Sequence, residues 1–220
     1  MINHAIDKSQ SIQHAYYSVV RYPLVNLLNG CAGSVLEIGC GTGQTLEYLK
    51  KTGAKEVVGV ELREEVATAA LENKLIDEVY QANFLDEVSP LKGRLFDTVI
   101  LSHVLEHFTE PNVVLDKVRT HMHPKSTLLI AVPNVRHVTV LVPLAIMGHF
   151  DYTDTGILDH THCRLYTRKS IIRTLKRNGF TIKLAKMDFG GAKSRTANKL
   201  SFGFFEEFLG YAINVSAGLE

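Results

Sequence analysis

Three glycines at alternating positions, Gly39, Gly41 and Gly43, separate an apolar β-rich run, Val35-Leu36-Glu37-Ile38, from a segment in which Leu46 and Leu49 recur at helical spacing. A strand, a glycine loop and a helix follow from that order. Glycine lets a ligand lie against the backbone and tolerates φ > 0, which a loop this tight requires. The loop feeds a helix N-terminus, whose unpaired N–H groups and positive dipole end suit a carboxylate or another anion. Its Gly-x-Gly-x-Gly spacing behind the acidic Glu37 departs from the Gly-x-Gly-x-x-Gly fingerprint of dinucleotide sites. A nicotinamide oxidoreductase, which would share the first half of such a fold, is therefore a distant alternative.

The next strand, at 55–60, ends on Glu61, eighteen positions after Gly43. That is close to the roughly 20-residue separation at which a nucleotide-binding fold places a carboxylate on ribose hydroxyls. An ionised carboxylate accepts from both hydroxyls at once. Glu61 is thus the second anchor of the reading.

The rest of the chain continues the alternation expected of an α/β protein. Helices broken near Pro23 are predicted within residues 1–30, a helix at 63–74 and a strand at 77–82. A strand follows at 96–101, then a helix opening near Pro111 with His121 and His123 in its last turn, and a strand at 127–132. Residues 135–166 are long for a connection, which marks them as a functional insertion. Thr167 is the expected N-cap of a helix over 168–178 closed by Asn178-Gly179, followed by a strand at 180–186. A glycine-rich loop at 188–197, an apolar aromatic helix at 200–209 and a final strand at 211–215 complete the prediction. The stripe of Phe202, Phe204, Phe205 and Phe208 reads as core or as a homodimer contact.

At 220 residues, 45% hydrophobic with a net charge of +1, the chain suits one domain with neither a membrane span nor a nucleic-acid surface. Cys31, Cys40 and Cys163 are odd in number and lack CxxC spacing, which points to the reducing cytoplasm and to no structural zinc. No export signal opens the sequence, and Leu219-Glu220 is read as a remnant of a tag vector.

Glu37-x-Gly39-x-Gly41-x-Gly43 resembles motif I of the class I S-adenosylmethionine-dependent methyltransferases. The resemblance implies a Rossmann-like doubly wound sheet of seven strands whose last strand is antiparallel, a single methyltransferase domain over 1–218, and S-adenosylmethionine as cofactor. It places Glu37, Gly39, Cys40, Gly41, Gly43, Glu61 and Leu62 around that cofactor. Gln81 to Asp86 resembles the family's adenine-binding turn, with Asn83 where aspartate is usual and Phe84 in place to lie on the adenine face. Ser102 and His103, opening the segment that ends in Leu105-Glu106-His107, resemble the family's fourth motif at the carboxyl end of a central strand. A preceding helix that caps the site makes Tyr16, Tyr17 and Arg21 candidates for contact with the methionine end or the acceptor.

Gly156-Ile157-Leu158-Asp159, followed by Thr161-His162-Cys163-Arg164, resembles a pattern of methyltransferases in sugar and cell-surface glycan biosynthesis, with Leu165 where an aromatic is frequent. Tyr152, Arg164 and His103 are the matching acceptor-side candidates, beside Tyr17 and Arg21. If the acceptor is a hydroxyl, its proton must be removed, and a histidine tuned by a carboxylate suits that task. His162 is the first candidate for the base, His160 the second and Asp159 the orienting partner, with His103 and Glu106 in reserve. His103-x-x-Glu106-His107 also spells the inverted zinc-protease motif, but its first histidine ends a strand instead of lying on a helix. Two histidines with Glu106 and His107 also make a donor set similar to the metal site of some RNA-end methyltransferases, although no metal is expected. The strand ending in Pro133-Asn134 lacks the Asn-Pro-Pro-Tyr signature of amino methyltransferases, which favours oxygen over nitrogen. The reading is O-methylation of a small molecule such as a sugar or glycan intermediate. The alternatives are N-methylation of another small molecule and a non-catalytic S-adenosylmethionine-binding subunit or sensor.

Overall fold

The computed structural model describes residues 19–86 and 91–220. Tyr16 and Tyr17 lie outside them. Seven strands form one sheet: β1 (Ser34–Ile38), β2 (Glu56–Glu61), β3 (Glu78–Gln81), β4 (Phe96–Ser102), β5 (Met122–Pro133), β6 (Phe180–Asp188) and β7 (Ala212–Leu219). Their order is β3-β2-β1-β4-β5-β7-β6, and β7 runs antiparallel to both β5 and β6. This is the expected doubly wound, mixed sheet. The apolar runs become central strands because both of their faces are covered: Val35, Leu36, Val57, Val58, Val99, Ile100 and Leu101 are all buried.

Helices pack on the two faces. α1 (Tyr22–Val25), α2 (Gln44–Lys51) and α3 (Glu64–Leu71) enclose one apolar cluster with Leu24, Leu46 and Ala67. α4 (Pro111–Arg119) and α5 (Arg168–Arg177) enclose the other with Val114, Leu115, Ile171 and Leu175. Pro23 sits in the first turn of α1, where its missing N–H costs nothing. Thr167 caps α5 in a reciprocal box with Ser170. No helix among the described residues is long and apolar enough to cross a membrane.

Four expectations are corrected. Helix α4 stops at Arg119, so His121 and His123 are not in its last turn. His121 is instead a core residue whose ring meets Phe84 at 5.8 Å and whose Nδ1 bonds the Arg94 carbonyl, while His123 lies on β5 and pairs with Asp97. Residues 192–200 are helical because only Gly190-Gly191 break the chain and the run beyond them contains good helix formers. The helix expected over 200–209 is reduced to Glu206–Leu209, since Phe202 and Gly203 both take positive φ and end the preceding turn. The aromatic stripe is consequently not core: Phe202 is 100% exposed and Phe204 80%. Leu219 pairs with Phe180 in the sheet.

Parallel order brings the carboxyl ends of β1, β2 and β4 to one rim, where open α/β sheets bind ligands. The insertion after β5 reaches that rim through Thr161. It includes short helical turns at Val138–Val142 and Pro143–Met147 and a bridge between Asn134 and Tyr166.

Candidate active site

The glycine loop is built by its backbone. As β1 ends, the N–H groups of Gly39 and Cys40 both donate to the Val60 carbonyl, at 2.7 and 3.1 Å, which bends the loop across the end of β2. Gly39 and Gly43 have φ of 69° and 79°. A Cβ on Gly39 would lie 2.6 Å from Val104 Cγ2, and one on Gly43 would collide with Ile76, so both positions require glycine. Glu61 braces the same turn: its Oε2 accepts from the Gly41 N–H and its Oε1 from the Arg63 N–H, each at 3.0 Å. Each oxygen keeps a further lone pair for a ligand hydroxyl.

Glu37 projects from β1 beneath this loop and is buried, with Oε2 lacking a partner. Burial pushes its carboxyl up to about 8; nearby Arg21 opposes the shift and the charge of Glu61 adds to it. A buried acid with an orphaned oxygen matches a cationic group such as the ammonium of an amino acid.

Loop, strand ends and insertion enclose a cleft of about 390 Å³. Of the candidates named from the sequence, Arg21, Glu37, Gly39, Cys40, Gly41, Glu61, Leu62, Asn83, Phe84, Ser102 and His103 line it. Gly43 stands just behind as the N-cap of α2. Leu62 is 63% exposed at the rim, an apolar surface without protein cover. Asn83 Oδ1 accepts from the Leu85 N–H, which shapes the turn, while Phe84 is buried with Lys117 over its ring. Ser102 Oγ is buried without a partner. His103 has φ of 57°, which is rare for a residue with a side chain and marks strain held at a functional rim. Donor set and shape fit S-adenosylmethionine: a carboxylate for a ribose, a buried acid for an ammonium and apolar walls at the rim.

The opposite wall of the cleft is arranged differently. His103 Nδ1 is 3.3 Å from Glu106 Oε1, and Glu106 is 0% exposed with Oε2 unpartnered. His107 lines the cleft and meets His162 edge to face at 4.9 Å. Of the insertion, Thr161 reaches the cleft wall, whereas Asp159, His160, His162, Tyr152 and Arg164 do not. His162 is buried with Nδ1 against the Ile157 carbonyl at 2.9 Å. Asp159 closes its own turn: Oδ1 accepts from the N–H and the hydroxyl of Thr161 at 2.8 and 2.6 Å. Burial would raise the Asp159 carboxyl, but these bonds, with His162 and His107 near, hold it below its ordinary value. His160 is exposed and stacks on Tyr152 at 6.1 Å. Arg164 clamps the insertion to the Thr109 carbonyl through Nε and Nη2 at 2.9 and 2.6 Å. Thr161, Val104 and Phe108 were not singled out from the sequence; their signal was adjacency, Thr161 between two flagged histidines and the others just past a strand's carboxyl end.

Sheet order, glycine loop and cleft define a class I S-adenosylmethionine-dependent methyltransferase. A family model described as a methyltransferase domain matches residues 13–184, and the chain belongs to that family. A ubiquinone biosynthesis O-methyltransferase of Bradyrhizobium diazoefficiens is 30% identical over 115 residues, 50% of this chain and 43% of that protein. Its counterpart in Xanthomonas euvesicatoria is 27% identical over 132 residues, 58% and 54% of the two chains. The chain thus spans about half the length of these curated relatives. Among solved structures, a SAM-dependent methyltransferase from Archaeoglobus fulgidus superimposes with a TM-score of 0.63 at 21% identity, covering 94% of this chain and 93% of that one. That likeness concerns the fold.

Proposed function

We propose that this chain methylates a hydroxyl oxygen of a small molecule, with a sugar or glycan intermediate as the acceptor class. The observation that carries the proposal is the pairing of His103 with the buried Glu106 at the wall of the cofactor cleft. The relatives' names as O-methyltransferases support oxygen as the acceptor atom. The Gly156-to-Thr167 run supports the sugar class, and the near-neutral charge of +1 supports a small acceptor over nucleic acid. Three unpaired thiols agree with a cytoplasmic setting. The exposed Leu200, Phe202 and Phe204 offer a surface for a homodimer.

S-adenosylmethionine supplies a methyl group on a sulfonium whose thioether leaves readily. Glu61 holds ribose hydroxyls, Glu37 meets the ammonium, and Leu62 and Phe84 flank the adenine. Glu106 accepts from His103 Nδ1–H, so that Nε2 is the basic nitrogen and takes the acceptor's proton. What favours His103 over His162 as base is access: His103 lines the cleft, while His162 lies behind His107. Arg21 and Thr161 contribute polar groups where an acceptor enters.

Calorimetric titration with S-adenosylmethionine and S-adenosylhomocysteine, followed by a labelled-methyl assay over a panel of sugars and phenols, tests this reading. Transfer to a sugar hydroxyl that is lost in His103→Ala supports it. Cofactor binding without transfer to any acceptor would point to a binding subunit, and transfer to an amine would overturn the oxygen assignment.

A further inference from the structure

We propose that Glu106, His107 and His162 form a site for a divalent transition-metal ion, zinc being the best match. The site stands on the wall of the cleft and is independent of the methyl-transfer reading. One ligand atom from each of the three residues can be chosen so that all lie within 4.8 Å of one another. A tetrahedral ion with bonds of about 2.1 Å holds its ligand atoms about 3.4 Å apart, so closing the set takes a side-chain adjustment of about 1 Å.

Proximity alone would not distinguish a metal site from a polar cluster, but the hydrogen bonds do. His162 Nδ1 faces the Ile157 carbonyl at 2.9 Å, and His107 Nδ1 faces the Thr161 carbonyl at 3.2 Å. A carbonyl only accepts, so each Nδ1 carries the proton and each Nε2 presents a lone pair. Backbone carbonyls fixing the far nitrogen are the outer support that metal-binding imidazoles use. Two neighbouring rings are thereby both set as bases, an arrangement without mutual hydrogen bonding that a cation would complete.

Glu106 supplies the charge. It is wholly buried, His103 occupies one oxygen and the other has no partner. A lone oxygen on a buried carboxylate is costly unless a cation meets it. Among the described residues Glu106 forms one ion pair, with His103. Asp159, three residues before His162 and held in the turn by Thr161, adds a carboxylate near the cluster.

Two nitrogens and one carboxylate oxygen select zinc or a similar first-row ion over magnesium or calcium, which prefer all-oxygen shells. Three protein ligands leave a fourth position, the pattern of zinc sites that bind water or substrate. Because His107 lines the cleft, an ion held by this set would be reached from the cleft.

The test uses the full chain after chelation and dialysis, in a Cys31→Ser/Cys163→Ser background that removes the two exposed thiols. Calorimetric titration with zinc chloride should show one equivalent bound. Cobalt chloride should give the visible absorption of a low-coordinate ion, and magnesium chloride no heat. His107→Ala and His162→Ala should each weaken zinc by at least about a hundredfold, as should Glu106→Gln, which keeps the shape if an alanine variant fails to fold. His149→Ala, an exposed histidine outside the cluster, should bind as the parent does. Absence of stoichiometric zinc binding by the folded parent, or binding unchanged in His107→Ala and Glu106→Gln, would overturn the site. Neither cofactor nor acceptor is present, so a failure of methyl transfer leaves this result intact.

Discussion

The two walls of the cleft are made by different means. The cofactor wall is a backbone object: glycine dihedrals, two N–H groups on the Val60 carbonyl and the Glu61 brace define it before any ligand is considered. The opposite wall, proposed for the acceptor, is a side-chain object: His103, Glu106 and His107 share one short segment after β4, and Thr161 joins them because Arg164 clamps the insertion onto that segment. A backbone wall tolerates little substitution but depends on few distant contacts. A side-chain wall can be re-specified, and its geometry depends on how two remote segments dock.

The strongest test of that division is His103→Ala. Removing a general base should lower the methyl-transfer rate by about 10²- to 10⁴-fold while the calorimetric affinity for S-adenosylmethionine stays within a few-fold. Loss of both together would assign His103 to the cofactor wall and break the comparison.

Next comes Glu37, where the cofactor wall carries an electrostatic burden. Its carboxyl is raised from 4.5 to about 8, so between those values the folded chain holds a proton that the unfolded chain has released. Stability from this group therefore falls as pH rises from about 4.5 to 8 and is level above. Glu37→Gln should remove that slope and gain on the order of 3–5 kcal/mol at pH 8.5, read as the difference between urea denaturation curves of the two proteins at pH 5 and 8.5. Parallel curves at both pH values would mean that Glu37 is ionised in the fold.

Glu61→Ala should weaken cofactor binding by about a hundredfold, the scale of two hydrogen bonds to a charged group. Glu61→Gln, which can still accept from the Gly41 N–H, should lose less. Equal loss in both would indicate that charge on ribose outweighs the brace. The smallest effect belongs to Arg164→Ala: about 1 kcal/mol of stability by denaturation, an acceptor KM that rises, and an unchanged cofactor Kd. A changed cofactor affinity would show that the two walls are coupled.

The same division explains what could be read from the sequence. Gly39, Gly43 and Glu61 were legible because they obey local rules: a turn that needs positive φ and a strand-to-strand spacing that places a carboxylate. The carboxylate partner of a histidine was legible only as chemistry. His162 and Asp159 lie three residues apart, yet Asp159 is spent on Thr161, whereas His103 and Glu106, also three apart, do pair; spacing alone does not separate the two cases. His121 was misplaced because the helix before it ends one turn early, at Arg119, and its ring is taken up by Phe84. The failed helix at 200–209 shows two residues overriding a pattern, since Phe202 and Gly203 adopt a conformation that periodicity does not reveal.

Strand β7 carries a consequence in time. It lies between β5 and β6 and bonds to both, although β6 precedes it in the chain. During synthesis β6 and its helix emerge with no place in the sheet until residues 212–219 follow them. Until then β5 presents an open edge flanked by Leu128, Ile130 and Val132, the kind of border that recruits strands from other molecules. The nascent chain is therefore open to misassociation until residues 212–219 have emerged, and β7 acts as a keystone that converts two unfinished edges into an interior.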